Sequence, residues 1–161
     1  MLSSDLVGKL NYHLNLEFSS AGAYIAASIY FCEIHQTELA ECFRLLAQTS
    51  AIKVTRCFNF IKKQKASPVI NRNIPDQYCM QSDLNAVIDN FISDYNLRTD
   101  SLKEMEKMSY INNDIQLIIF TTKIRTLHED EGKLLFATLT DTGRADRTMH
   151  SHIGCGLSDG I

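Results

Sequence analysis

An all-α fold, a bundle of four long helices arranged as two antiparallel hairpins joined by a long crossover, is predicted from three observations. Both prolines, Pro68 and Pro75, fall within residues 66–82, so the rest of the chain to about residue 140 lacks the strongest helix breaker. Apolar residues recur at helical spacing in four separate stretches. The links between those stretches are unequal: residues 33–36 and the Asn112-Asn113 region allow only tight turns, whereas residues 66–82 can travel the length of a bundle.

The first helix is expected from Ser4 to about Cys32, on a stripe of Leu6, Leu10, Leu14, Ala21 and Tyr24 that also contains Glu17. The second starts near Thr37, a good cap with Glu38 and Glu41 behind it. Its stripe is Leu39, Phe43, Leu46, Ser50, Lys53, Cys57 and Phe60. The basic run Lys62-Lys63-Gln64-Lys65 lies where this helix should end, as its dipole favours. Ser82 can cap a third helix carrying Leu84, Ile88, Phe91, Tyr95, Arg98, Leu102 and Met105 inward. Asn113 followed by Gln116 resembles a capping box and opens a fourth, with Leu117, Thr121, Ile124, His128, Glu131 and Leu135 facing the core. Each helix is about 27 residues, or roughly 40 Å, long. After Thr140 come Gly143, Gly154, Gly156 and Gly160 among polar residues, so residues 1–140 are assigned to the bundle and 141–161 to a Gly-rich, loosely ordered tail.

A chain of 161 residues with 45% hydrophobic content is enough for one domain with a sizeable core. No apolar run approaches the roughly 20 residues that span a bilayer, and the start lacks a secretory profile, so a soluble cytoplasmic protein without a membrane partner is expected. Five cysteines without a Cys-x-x-Cys pair argue against a disulfide framework and for reduced thiols. A formal charge of −3 argues against nucleic acid as a partner.

Each stripe carries polar residues at a matching depth: Glu17, then Ser50 with Lys53, then Tyr95, then His128 with Glu131. Carboxylates and imidazoles that converge inside a bundle usually do so for a metal. Together with Leu10-Asn11, Leu14-Asn15-Leu16-Glu17, Tyr24, Phe43-Arg44, Ala47-Gln48, Arg56 with Phe58, and Glu131 with Leu134, these residues make the chain resemble a bacterial non-haem ferritin over residues 1 to about 140. The resemblance implies a ferritin-like four-helix bundle, a haem-free dinuclear iron centre that oxidises ferrous iron, and self-association into a hollow shell of 24 subunits.

The family's ligands are a glutamate on helix one, Glu-x-x-His on helix two, a glutamate on helix three and Gln-x-x-Glu on helix four. Glu17 and Glu131 match the first and last. Ser50 stands where the resemblance puts the bridging glutamate, Lys53 where it puts the histidine, Tyr95 for the third-helix glutamate and His128 for the glutamine. Of the accessory iron site, Thr49 and Leu127 replace two glutamates and Asp130 survives. Tyr24 resembles the family's redox-active tyrosine beside the iron centre, against the plainer reading of a core aromatic.

Charge decides more than ligand counting. Four glutamates offset two ferrous ions, whereas Glu17, Glu131 and protonated Lys53 sum to only −1. The expectation is a buried polar network in which the Lys53 ammonium takes one metal's place, donating to Glu17 and Glu131, with the Tyr95 hydroxyl adding a bond. The alternative is a mononuclear iron or zinc site of Glu17, His128 and Glu131. A weaker metal motif, His150, His152 and Cys155, lies in the tail. The favoured functional reading is an iron-storage or iron-handling cage subunit with an incomplete ferroxidase centre and slow or absent iron oxidation of its own, leaving mineralisation to partner subunits, such as a co-assembled active ferritin, or to surface chemistry. An active ferroxidase with an altered site, and a cage or interaction protein without iron chemistry, are the alternatives.

Overall fold

The four stripes fold as four helices: α1 (Ser4–Glu33), α2 (Thr37–Lys63), α3 (Leu84–Ile111) and α4 (Ile115–Gly154). The computed structural model describes residues 2–71 and 84–154, and side chains as far as residue 143. Pro75, Ser82 and Cys155 lie outside the described residues, as do the side chains of His150 and His152.

Local chemistry sets the ends. Ser3 caps α1 by accepting from Leu6 N at 3.3 Å, and Lys62 and Lys63 occupy the last turn of α2 as its dipole favours. Two expected caps shift by one residue. Gln36, not Thr37, is the N-cap of α2 and gives no side-chain bond. Asp114, not Asn113, caps α4, its Oδ1 accepting from Leu117 N at 3.0 Å, while Asn113 takes φ 49° to complete the tight turn, a conformation asparagine tolerates. The fourth helix also does not stop near Thr140. It runs on to Gly154, so residues 141–154 of the expected loose tail are helical. Gly143 costs only about 1 kcal/mol inside a helix, and the buried face of Leu135, Thr138, Leu139 and Thr142 carries α4 past that cost.

Cross-helix pairs fix the topology. Ser28 Oγ donates to Ala40 O at 2.7 Å near one end of α1 and α2, and Lys53 reaches Glu17 further along, so the two are antiparallel. Lys9–Glu104 and Ser20–Asp94 make α1 and α3 antiparallel, and Phe60–Phe120 with Lys53–Glu131 do the same for α2 and α4. Helices α2 and α3 therefore point the same way. The chain between them must return the full length of the bundle, which is the long crossover expected. Its described start is tied to α1: Asn11 Nδ2 donates to Ser67 O (3.2 Å) and its Oδ1 accepts from Val69 N (2.7 Å). One helical turn on, Asn15 repeats the pattern with Val69 O (2.8 Å) and Asn71 N (2.7 Å).

The interior is two apolar clusters rather than one. Leu6, Leu10, Leu14, Phe60, Leu117 and Phe120 belong to the first. Tyr24, Phe31, Phe43, Phe91 and Leu135 belong to the second, with Phe31 and Phe43 stacked at 5.4 Å. Between them lies a layer of buried polar side chains drawn from all four helices.

Candidate functional site

Heptad spacing points Glu17 (α1), Lys53 (α2), Arg98 (α3) and Glu131 (α4) into the layer between the two clusters, and all four are buried to 2% exposure or less. Lys53 Nζ donates to Glu17 Oε1 at 2.8 Å and is ion-paired with Glu131 Oε2. Arg98 Nη1 reaches the other oxygens of the same two carboxylates, Glu131 Oε1 at 2.7 Å and Glu17 Oε2 at 3.3 Å. Each carboxylate is thus bridged to the other by two protein cations.

Around this quartet lies a partial second ring. Tyr24 donates to Glu131 Oε1 at 2.8 Å and accepts from Arg98 Nη2 at 3.0 Å. Asp94 accepts from Arg98 Nε (3.1 Å) and from Ser20 Oγ (2.7 Å). His13, one turn before Glu17, puts Nε2 3.4 Å from Glu17 Oε1 and Nδ1 3.0 Å from Ser101 Oγ.

Burial alone would raise the Glu17 carboxyl, but the charges of Lys53 and Arg98, with His13 adding to them, hold it well below its ordinary value. Burial also opposes the charge on Arg98, and the surrounding Glu17, Tyr24, Glu131 and Asp94 more than reverse that, so the guanidinium stays protonated. Tyr24 is pushed well above the usual phenol range, chiefly by burial, and stays neutral.

Several expected residues arrive elsewhere. The Tyr95 hydroxyl does not join the network: it donates to the backbone oxygen of His128 at 3.0 Å while its ring stacks on the His128 ring at 4.1 Å. His128 Nε2 faces Thr99 Oγ1 at 2.7 Å, and its Nδ1 is buried without a hydrogen-bond partner. Asp130 is exposed and paired with Lys133 at 3.2 Å, so the helix turns it away from the layer. Thr49 bonds to its own helix at Leu45 O (3.2 Å), and Leu127 is half-buried. Ser50 is in the layer, but its Oγ has no hydrogen-bond partner.

Arg98, Asp94 and His13 were missed as site residues. Arg98 had a signal: the sum over Glu17, Glu131 and Lys53 was one positive charge short of neutral, and a cation sat at a core position of α3.

A pair of iron ions does not fit these donors. Glu17, Glu131 and Asp94 bring −3, Lys53 and Arg98 bring +2, and the net −1 is far from offsetting two divalent cations. The carboxylate oxygens that would bind metal are already paired with ammonium and guanidinium. Among the described residues, no group of three His, Cys, Asp or Glu side chains is close enough to hold a metal ion.

Two properties of the layer's edge are measurable. A Cβ built on Gly132 would lie 2.2 Å from the Tyr95 hydroxyl. Gly132→Ala will therefore destabilise the protein by about 1–3 kcal/mol through overpacking. In a Tyr95→Ala background the same change will stabilise it by up to about 1 kcal/mol, the gain in helix propensity. Denaturation midpoints of the four proteins test this, and the same sign in both backgrounds would refute it.

Burial, then the charges of Lys53 and Arg98, pushes His128 down to about 3. The unfolded chain takes up a proton near pH 6.5 and the folded chain does not, so stability is lost as pH falls from 6.5 towards 3. At pH 5 that loss is about 2 kcal/mol. Comparison of urea unfolding at pH 7 and pH 5 should find the drop smaller by this amount in His128→Gln; equal drops would contradict it.

Comparison with known proteins agrees with the architecture. The family model for the ferritin-like domain matches residues 7–145. The chain is 24% identical over 146 residues to a bacterial non-heme ferritin-like protein of Escherichia coli, covering 90% of this chain and 86% of that one. Among solved structures, a humanized archaeal ferritin aligns with a TM-score of 0.75 at 19% identity, over 100% of this chain and 99% of the other. The open pore ferritin of Archaeoglobus fulgidus aligns with 0.74 at 20% identity, over 92% and 93%. These likenesses support the fold, and no described helix is long and apolar enough to cross a membrane. With the matched family model spanning most of its length, the chain belongs to the ferritin family.

Proposed function

We propose that this protein is an iron-storage or iron-handling cage subunit in which two protein cations have replaced the ferroxidase centre, so that it oxidises iron slowly or not at all. One observation carries the reading: Lys53 and Arg98 each bridge Glu17 and Glu131, the two carboxylates that match the family's iron ligands. Iron is cargo in this reading. The subunit contributes a wall of a hollow cytoplasmic shell, expected to have 24 subunits, and oxidation is left to co-assembled active ferritin.

Absorbance after aerobic addition of Fe²⁺ will rise at about the buffer rate. A burst far above that rate would overturn the proposal. Light scattering of the purified protein tests the shell: a monomer or dimer would exclude it.

A single-iron site of Glu17, His128 and Glu131 is the competing reading; its one support is the buried, unpartnered Nδ1 of His128, and the three side chains would first have to close together, since as they stand they are not placed to share a metal. It requires both cations to release the carboxylates. Anaerobic Fe²⁺ titration separates the two: binding that vanishes in a Glu17→Ala, His128→Ala double variant would establish the single-iron site, and no binding in the parent would eliminate it.

A further inference from the structure

Away from the charged layer, α2 and α4 leave a groove of about 690 Å³ on the bundle surface. Its floor is apolar: the Phe60 and Phe120 rings stack at 4.1 Å, almost parallel, with the half-exposed Ile119 beside them. Its rim is basic. Arg56 and Lys63 from α2 and Lys123 from α4 line it, and no acidic side chain does. Because α2 and α4 are antiparallel with Phe60 opposite Phe120, Arg56 and Lys123 come to the same level from opposite walls. Lys63 lies two turns away, about 10 Å along the helix. The groove therefore offers two converging cations at one end of an aromatic floor.

Phe60 and Phe120 belong to the core and show the groove only their edges, so Ile119 is its exposed apolar side chain. A bare inorganic anion would leave that apolar surface in water, and a neutral hydrocarbon would leave the cations unmatched. Pockets of this size that are apolar with a few converging polar groups take small organic ligands. We propose that the groove binds an amphipathic carboxylate of the fatty-acid class, its head between Arg56 and Lys123 and its chain over Phe60, Phe120 and Ile119. The inference is independent of the iron reading, since none of these residues belongs to the Glu17–Lys53–Arg98–Glu131 network.

Isothermal titration of the full-length protein with decanoate, below its micellar range, tests it. The expected result is one molecule per chain, with binding at least tenfold weaker for 1-decanol and no detectable heat for acetate. An Arg56→Gln, Lys123→Gln double variant and a separate Ile119→Asp variant, both folded by circular dichroism because all three residues are exposed, should each lose tenfold or more in affinity. No binding of decanoate, equal binding of decanol, or unchanged affinity in both variants would overturn the proposal.

Discussion

Replacing Arg98 with leucine will lower the unfolding free energy by about 3–5 kcal/mol, the range for stripping one partner from a buried ionic cluster. The size follows from what is left behind. Arg98 is completely buried and serves Glu17, Glu131, Asp94 and Tyr24 at once. Without it Glu17 and Glu131 are left with the ammonium of Lys53 as their paired cation, and Asp94 with the Ser20 hydroxyl. Lys53→Met should cost a similar amount, because it removes the second cation that bridges the two glutamates. Adding Glu131→Gln to Arg98→Leu should restore part of the loss, a coupling of about 0.5–3 kcal/mol expected for residues in direct contact. The exposed Lys9–Glu104 pair is the control, and Lys9→Ala should leave the midpoint where it was. Chemical denaturation of the set measures these effects. A loss under about 1 kcal/mol for Arg98→Leu would mean the layer is hydrated rather than closed.

The second large effect is a gain of activity that depends on Arg98. Introducing the ligands that the family resemblance expects, through Ser50→Glu, Lys53→His and Tyr95→Glu, removes only one of the two cations that bridge Glu17 and Glu131. With Arg98 in place, its guanidinium still holds Glu17 and Glu131, and the triple variant should oxidise Fe²⁺ little faster than the parent. Adding Arg98→Leu should raise the initial rate by about tenfold or more, a barrier change of only about 1.4 kcal/mol. The four-fold variant also gathers carboxylates with no cation among them, so it should be unstable without metal and gain melting temperature on addition of Zn²⁺. That thermal shift separates a failed centre from a failed fold. Full activity in the triple variant would show that Arg98 does not block the site. A metal-stabilised four-fold variant without faster oxidation would show that these positions do not correspond to the family's centre.

The helices and their inward faces were legible from spacing. Every residue of the α2 stripe from Leu39 to Phe60 is buried, and so is the α4 stripe from Leu117 to Leu135. That includes Ser50, Lys53, His128 and Glu131, whose polarity could have argued against burial. The end of α4 was not legible, because glycines among polar residues after Thr140 signal a break, whereas Leu139 and Thr142 carry the buried face across that point. The caps slipped by one residue because side-chain capping depends on the turn's backbone, such as the left-handed Asn113, and not on residue type alone.

Periodicity along one helix settles which side chains face inward, since it follows from 3.6 residues per turn within a single segment. Four helices and a polar layer containing Glu17, Lys53 and Glu131 followed from that spacing, and the crossover between the second and third from the two prolines and the length of the link they occupy. Which of the inward polar groups touch depends on the rotation and relative height of separate helices, and no local pattern encodes either. Packing therefore chose Arg98 over Tyr95 as the fourth member of the cluster and sent His128 to Thr99. In this way two carboxylates that looked one cation short are matched by a second cation.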